Sequence, residues 1–178
     1  VPACADDASG RTAAAGLDLA EESHRLLLAR AMREEKAAAA APLIDGKAVK
    51  TGAAFDVLNP ADHGQVAGKV WNADDAAIEK AFAVSRTGFS RWSRAQAGER
   101  AAALERAADL LEKNRAELMM LCVREAGKTL DDAQAEIREA VDFCRYYAQE
   151  GRKVFADAGE KMPGPTGERN ILTLHGRG

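Results

Sequence analysis

Gly127-Lys128-Thr129 is the stretch of this chain most suggestive of chemistry, because Gly-Lys-Thr closes a nucleotide phosphate loop. That loop has the form G-x-x-x-x-G-K-[ST] and follows a strand, so that successive N–H groups converge on phosphate oxygens. Its first glycine would stand at position 122, where this chain has Cys122. The preceding residues also carry helical spacing, not the alternation of a strand. A simpler reading accounts for each residue. Gly127 ends one helix, Lys128 sits solvated in the turn, and Thr129 with Asp132 caps the next helix.

The other reactive side chains are dispersed. The cysteines are Cys4, Cys122 and Cys144, an odd number with no C-x-x-C pair. A disulfide framework is therefore not expected, and a reducing cytoplasm is. His24, His63 and His175 are equally scattered, so no zinc site is expected. Cys144 falls on an apolar helix stripe with no basic neighbour, which makes it packing and not a nucleophile; Cys122 reads the same way. Cys4 lies in a small-residue tail with no base to hold beside it.

The helix expected over 130–149 offers more. On a wheel at about 100° per residue it divides into three stripes. Leu130, Ala133, Ile137, Ala140, Val141, Cys144 and Ala148 form the core stripe. Asp131, Gln134, Arg138, Asp142, Arg145 and Gln149 form a solvent stripe, on which Arg138 and Asp142 are spaced to pair. Between them run Asp132, Glu136, Glu139, Phe143, Tyr146 and Tyr147, acids mixed with aromatics. A solvated face rarely carries three aromatics, and a buried face rarely carries three acids. The mixture suits a pocket rim or a partner-facing surface. It equally suits aromatics packed under another element while the acids reach water.

The elements that must position this helix follow from local signals. Residues 1–16 are small, polar and Gly/Ala-rich, and read as a disordered linker. A helix is expected within 17–41, ending at Pro42 after an alanine run. Asp45-Gly46 marks a hairpin turn, and Phe55–Leu58 and Val66–Val70 mark two short strands around "NPADHG". Asp74 caps a helix with Ile78, Ala81 and Phe82 on one face. A second helix carries Ala101, Leu104, Ala108 and Leu111 inward. A third starts at Asn114 with Glu117 and turns Leu118, Leu121 and Cys122 inward. A turn over 164–167 precedes a strand over 170–174.

Bulk composition narrows the class. At 178 residues with 47% hydrophobic and 30% charged side chains, the chain suits one domain with a real core. Its net charge of −3 lacks the basic excess of a nucleic-acid-binding surface. No apolar run approaches the roughly 20 residues that cross a bilayer. The chain begins at Val1 and stops just after a strand-like run, so both ends read as cuts in a longer polypeptide.

Four stretches together resemble the opening of an aldehyde dehydrogenase domain: "APLIDGK", "FDVLNPADHGQVAGKV", "ERAAALERAADLLEKNRAELMMLCVREAGKT" and "DAQAEIREAVDFCRYYA". The resemblance covers about 41–178 and is nearest the 1-pyrroline-5-carboxylate (glutamate-γ-semialdehyde) dehydrogenase branch of the bifunctional proline-utilisation flavoenzymes. "LNPAD" is general to the family; "REAGKT" with "REAVDFCRYYA" is more particular. Residues 1–40 would then be the linker-to-helix connection from a proline dehydrogenase half that carries FAD.

The resemblance implies an α/β fold with a Rossmann-like NAD domain, of which this part is mostly α-helical with a few short antiparallel strands. It implies a small-molecule aldehyde substrate, a homo-oligomer peripheral to a membrane, and no nucleic acid. It assigns no catalytic role to the three cysteines, none of which stands in the family's nucleophile context, and no cofactor-binding residue. The chain alone is therefore expected to be inactive. One position carries over: Glu139 matches the glutamate that faces the substrate beside the aldehyde entry tunnel. Two alternatives stay open, a self-contained helical interaction module and an aldehyde dehydrogenase of another substrate branch.

Overall fold

The computed structural model describes residues 10–34, 38–156 and 159–177. Helices are the main elements. Four of them, α1 (Glu22–Arg33), α2 (Asp75–Trp92), α3 (Ala97–Lys113) and α4 (Arg115–Ala126), lead to the long α5 (Leu130–Val154). Asp74 starts α2 as expected, its carboxylate accepting the Ala77 N–H at 2.8 Å. Thr129 starts α5, its hydroxyl accepting the Asp132 N–H at 3.1 Å and donating to the Asp132 carboxylate at 2.9 Å. Gly127 ends α4 in the left-handed region at φ 65°, a conformation that costs glycine nothing. Pro60, from the turn between the two middle strands, lies against it: a Cβ on Gly127 would meet the proline ring at 2.9 Å.

The strands are short. β2 (Leu43–Ile44) and β3 (Lys47–Ala48) form the expected hairpin, with Asp45 and Gly46 both at positive φ. β4 (Ala54–Asn59) pairs antiparallel with β5 (Asp62–Trp71) around the Asn59-Pro60 turn. The alanine run departs from expectation. Ala38–Ala40 is not the end of a helix but β1, parallel to β5 with Ala38 opposite Gly68. Strand pairing overrides the helix preference of alanine here, because β5 offers an open edge and Gly68 lets the chain approach. A Cβ at Gly68 would lie 2.6 Å from the Ala38 carbonyl oxygen. α1 accordingly stops at Arg33. Near the end, β6 (Glu160–Met162) pairs antiparallel with β7 (Asn170–Leu172); the first of these strands has no sequence signal of its own.

Two contiguous apolar clusters hold the helices together. Leu17, Leu28, Met119, Met120 and Ala133 form one, flanked by Cys122, Leu130 and Ile137. Ala14, Ala108 and Val141 form the other, flanked by Leu111 and Cys144. The core stripe predicted for α5 therefore packs as read, with Ala133, Val141 and Ala148 sealed from solvent. The phase of α4 is corrected: Met119 and Met120 are the buried pair, while Leu118, Leu121 and Cys122 are half-buried. Asn114 does not cap α4 either; its amide donates to the Leu110 carbonyl and closes α3 instead. Ile78 and Phe82 on α2 stay exposed, and Ala77 is the residue buried there.

The largest departure concerns 10–17. Residues 10–16, expected to be a loose linker, and Leu17, expected at the start of the helical stretch, run as a strap across α5 and α3, burying Ala14 and Leu17. Three side chains accept strap N–H groups: Asp142 from Ala14 at 2.9 Å, Glu112 from Ala15 at 2.8 Å and Gln134 from Leu17 at 2.6 Å. The solvent stripe of α5 is thus largely covered. Residues 1–9, including Cys4, lie outside the described residues.

Candidate functional site

α5 extends five residues beyond the expected 149 and presents one stripe that stays largely exposed among the described residues. Phe143, Tyr146 and Tyr147 remain 51%, 44% and 57% exposed, although each ring is placed by a neighbour. Phe143 and Tyr147 stack with centroids 6.0 Å apart, and Tyr146 meets Tyr147 edge-on at 5.2 Å. Such pairs prefer these offset and edge-on geometries. Lys128, half-buried and not solvated as expected, closes the N-terminal end of the stripe by pairing with Glu136. The Glu136 carboxylate is the leading reason the Lys128 ammonium is held above its usual range.

Where the strap crosses α5 a cleft of about 540 Å3 opens, lined by Arg11, Arg138, Glu139, Asp142, Phe143 and Tyr146. Glu139 is exposed at its edge and has no hydrogen bond or ion pair among the described residues. Arg11 reaches over Tyr146, its guanidinium carbon 5.7 Å from the ring centre, and donates to the Asp142 carbonyl at 3.3 Å. The expected Arg138–Asp142 pair does not form, because the Asp142 carboxylate accepts from the strap. Arg138 is half-buried, and its Nε has no partner.

Beneath the strap, Arg145 is the electrostatic centre. It meets Glu112 at 2.9 Å and Asp109 at 3.5 Å, and its side chain is only 14% exposed. It also donates to the Thr12 and Ala13 carbonyls at 3.4 Å. Burial pushes the Glu112 carboxyl up. Arg145 and the Ala15 N–H outweigh burial and hold that carboxyl below its usual value of 4.5. Burial similarly opposes the Arg145 charge, and Glu112 with Asp109 more than restores it. Arg152 and Glu105 add a bidentate pair at 2.6 and 2.7 Å further along α5.

The residues singled out by sequence sort clearly. Glu139, Phe143 and Tyr146 come together at the cleft, and Tyr147 lies outside its lining. Cys122 and Cys144 do not join it, since each packs against an apolar cluster. Gly127-Lys128-Thr129 forms no phosphate cradle: the Gly127 N–H is taken by the Val123 carbonyl and the Lys128 N–H by the Cys122 carbonyl. Among the described residues no group of His, Cys, Asp or Glu is arranged to hold a metal ion, and no helix is long and apolar enough to cross a membrane. Sequence reasoning missed Arg11 and Arg138 as cleft residues, because the strap that makes the cleft was read as linker.

The model of the aldehyde dehydrogenase family matches residues 47–177. The chain belongs to that family. This aldehyde dehydrogenase segment is 41% identical over 163 residues to the bifunctional protein PutA of Klebsiella aerogenes, covering 88% of this chain. It spans only 12% of that relative's length. Proline utilization A from Bdellovibrio bacteriovorus superposes with a TM-score of 0.85 at 30% identity, covering 91% of this chain and 17% of that one. The 1-pyrroline-5-carboxylate dehydrogenase from Thermus with bound NAD superposes with a TM-score of 0.78 at 29% identity, covering 85% and 30%. The mostly helical architecture with small sheets is thus that of one part of the aldehyde dehydrogenase fold.

Proposed function

We propose that this chain is part of an enzyme that oxidises L-glutamate-γ-semialdehyde, the open form of 1-pyrroline-5-carboxylate, to glutamate in proline catabolism. The observation that carries the reading is the family match over 47–177, together with the two kinds of relative. The chain's part is scaffold and one wall of the substrate's approach. Glu139 supplies an unpaired carboxylate at the cleft, suited to the α-ammonium group of the semialdehyde.

NAD, when bound, accepts the hydride; the NAD-bound Thermus relative supports that choice. The described residues do not fit it. The one Gly-Lys-Thr turn has its N–H groups committed to α4, and no glycine-rich strand-to-helix turn exists among the described residues. None of the cysteines is assigned the reactive thiolate. Cys122 packs beside Met119 and Met120, Cys144 packs beside Val141, and Cys4 is outside the described residues. The segment alone is expected to be inactive. The bifunctional relative supports a second activity joined in the same polypeptide; an FAD-dependent proline dehydrogenase half and a homo-oligomer are what the resemblance implies.

A free-standing interaction module is disfavoured by the apolar side chains left open on α2 and α3, where Phe82, Trp92 and Leu110 are 50% exposed or more. The test is kinetic. In the full-length enzyme, Glu139→Gln should raise KM for glutamate-γ-semialdehyde about tenfold to a hundredfold, the value of one charge-assisted hydrogen bond, with kcat nearly unchanged. Butanal, which lacks the ammonium group, should be unaffected. Equal loss on both aldehydes, or no loss on either, overturns the role of Glu139.

A further inference from the structure

The side chains that accept strap N–H groups differ in what they keep when the strap leaves. Glu112 accepts from Ala15 at 2.8 Å and also pairs with Arg145 at 2.9 Å, so it retains a counter-ion. Gln134 accepts from Leu17 and is neutral. Asp142 accepts from Ala14 at 2.9 Å, and its carboxylate pairs with no cation among the described residues. One turn earlier on α5 stands Arg138, half-buried, lining the cleft and likewise without a partner among the described residues. Burial of a charge is normally offset by a paired charge or by hydrogen bonds, so an unpaired guanidinium here is costly. The Asp142 carboxylate is spaced to pair with it, and the strap holds that carboxylate instead.

We propose that the strap is a reversible latch: as 10–17 lifts, the Asp142 carboxylate exchanges the Ala14 N–H for the Arg138 guanidinium. In the closed arrangement Asp142 satisfies a backbone donor that would otherwise lack a partner, and Arg138 goes without a counter-ion. In the lifted arrangement the donor meets water, and Asp142 and Arg138 pair across one turn of α5. The closed state is the major one, because lifting also exposes Ala14 and Leu17, which are 5% and 1% exposed. Pairing in the lifted state lowers the cost of opening. Arg138 therefore favours release, although it makes no hydrogen bond to the strap. Lifting withdraws Arg11 from the Tyr146 ring and from the cleft edge, so the latch sets the width of the cleft. Neither Glu139 nor the nature of the substrate enters the latch.

Hydrogen exchange at the Ala14, Ala15 and Leu17 amides of the full-length enzyme tests the latch. Arg138 is distant from these residues in sequence, so its substitution leaves their chemical exchange rates alone and changes only the opening equilibrium. Arg138→Met removes the ion pair of the lifted state and should slow all three amides about twofold, the value of one i,i+4 pair on a helix. Loss of a group that merely supports the closed structure would do the reverse. Arg138→Lys keeps a cation one turn from Asp142 and should restore the unmodified rate. In an Asp142→Asn background, where the lifted state has no carboxylate to pair, Arg138→Met should have no effect. Arg138→Gln takes the place of Arg138→Met if that variant fails to fold. Unchanged or faster exchange on loss of the Arg138 charge overturns the latch, as does slowing that persists in the Asp142→Asn background.

Discussion

α5 carries two polar faces of similar composition and opposite fate. One face is covered by the strap from more than a hundred residues earlier in the chain: Gln134 and Asp142 accept its N–H groups, and Arg145 donates to its carbonyls. The other, with Glu136, Glu139, Phe143, Tyr146 and Tyr147, stays open. A helix wheel counts both as outward. The difference is that a buried strap brings backbone donors that must be paired, and short polar side chains on α5 and α3 pair them. Among the described residues the open face receives only Arg11 over Tyr146 and Lys128 on Glu136, and no backbone donors, which leaves Glu139 and the rings of Phe143 and Tyr147 exposed.

Breaking the covered face should cost most. Arg145→Ala strands Glu112 in a half-buried position and frees the strap carbonyls. Its pair lies between the buried and exposed regimes, so it should lower the opening free energy of the strap amides by about 2–3 kcal/mol, read by native-state hydrogen exchange. Asp142→Ala removes the acceptor of the Ala14 N–H and should cost about 1–3 kcal/mol at that amide.

Acid sharpens the same comparison. The Glu112 carboxyl is held below its ordinary value of 4.5 in the folded chain, so its contribution is complete above that value. It is lost as pH falls below 4.5, through the depressed value. Strap protection should weaken across that acidic window, and Glu112→Gln should flatten the dependence. A pH profile identical in the two proteins would show that Glu112 does not hold the strap. On the open face, Tyr147→Ala and Lys128→Ala should change stability by no more than about 1 kcal/mol, since an exposed ring and an ion pair at the surface, here with a half-buried Lys128, contribute little. A larger loss in thermal unfolding of either variant would mean that the open stripe is structural.

What sequence could show was mostly local. Asp74, Thr129 and Gly127 cap as read, Asp45-Gly46 turns as read, and the β4–β5 pair surrounds Asn59-Pro60 as read, because each signal lies within a few residues of its effect. The failures are long-range. Ala38–Ala40 becomes a strand because β5, some thirty residues later, offers an edge. The strap binds because Asp142, Glu112 and Gln134 happen to face it, which no periodicity in 10–17 announces. Asn114 turned its amide to α3, where a cap on either side was equally consistent with sequence. For the candidate site, the wheel placed Glu139 on an acid–aromatic stripe that the structure leaves exposed, while its role toward a substrate came from the resemblance and stays a proposal. It placed Arg138 with the solvent residues, and only the strap makes Arg138 a wall of the cleft.

Hydrogen exchange at three amides tests the central contrast most directly. In the full-length enzyme at neutral pH, the Ala14, Ala15 and Leu17 N–H groups should exchange slowly, and Arg145→Ala should accelerate all three together. Exchange at the rate of an unstructured peptide in the unmodified enzyme would mean that the strap does not cover α5 and that its two polar faces are alike.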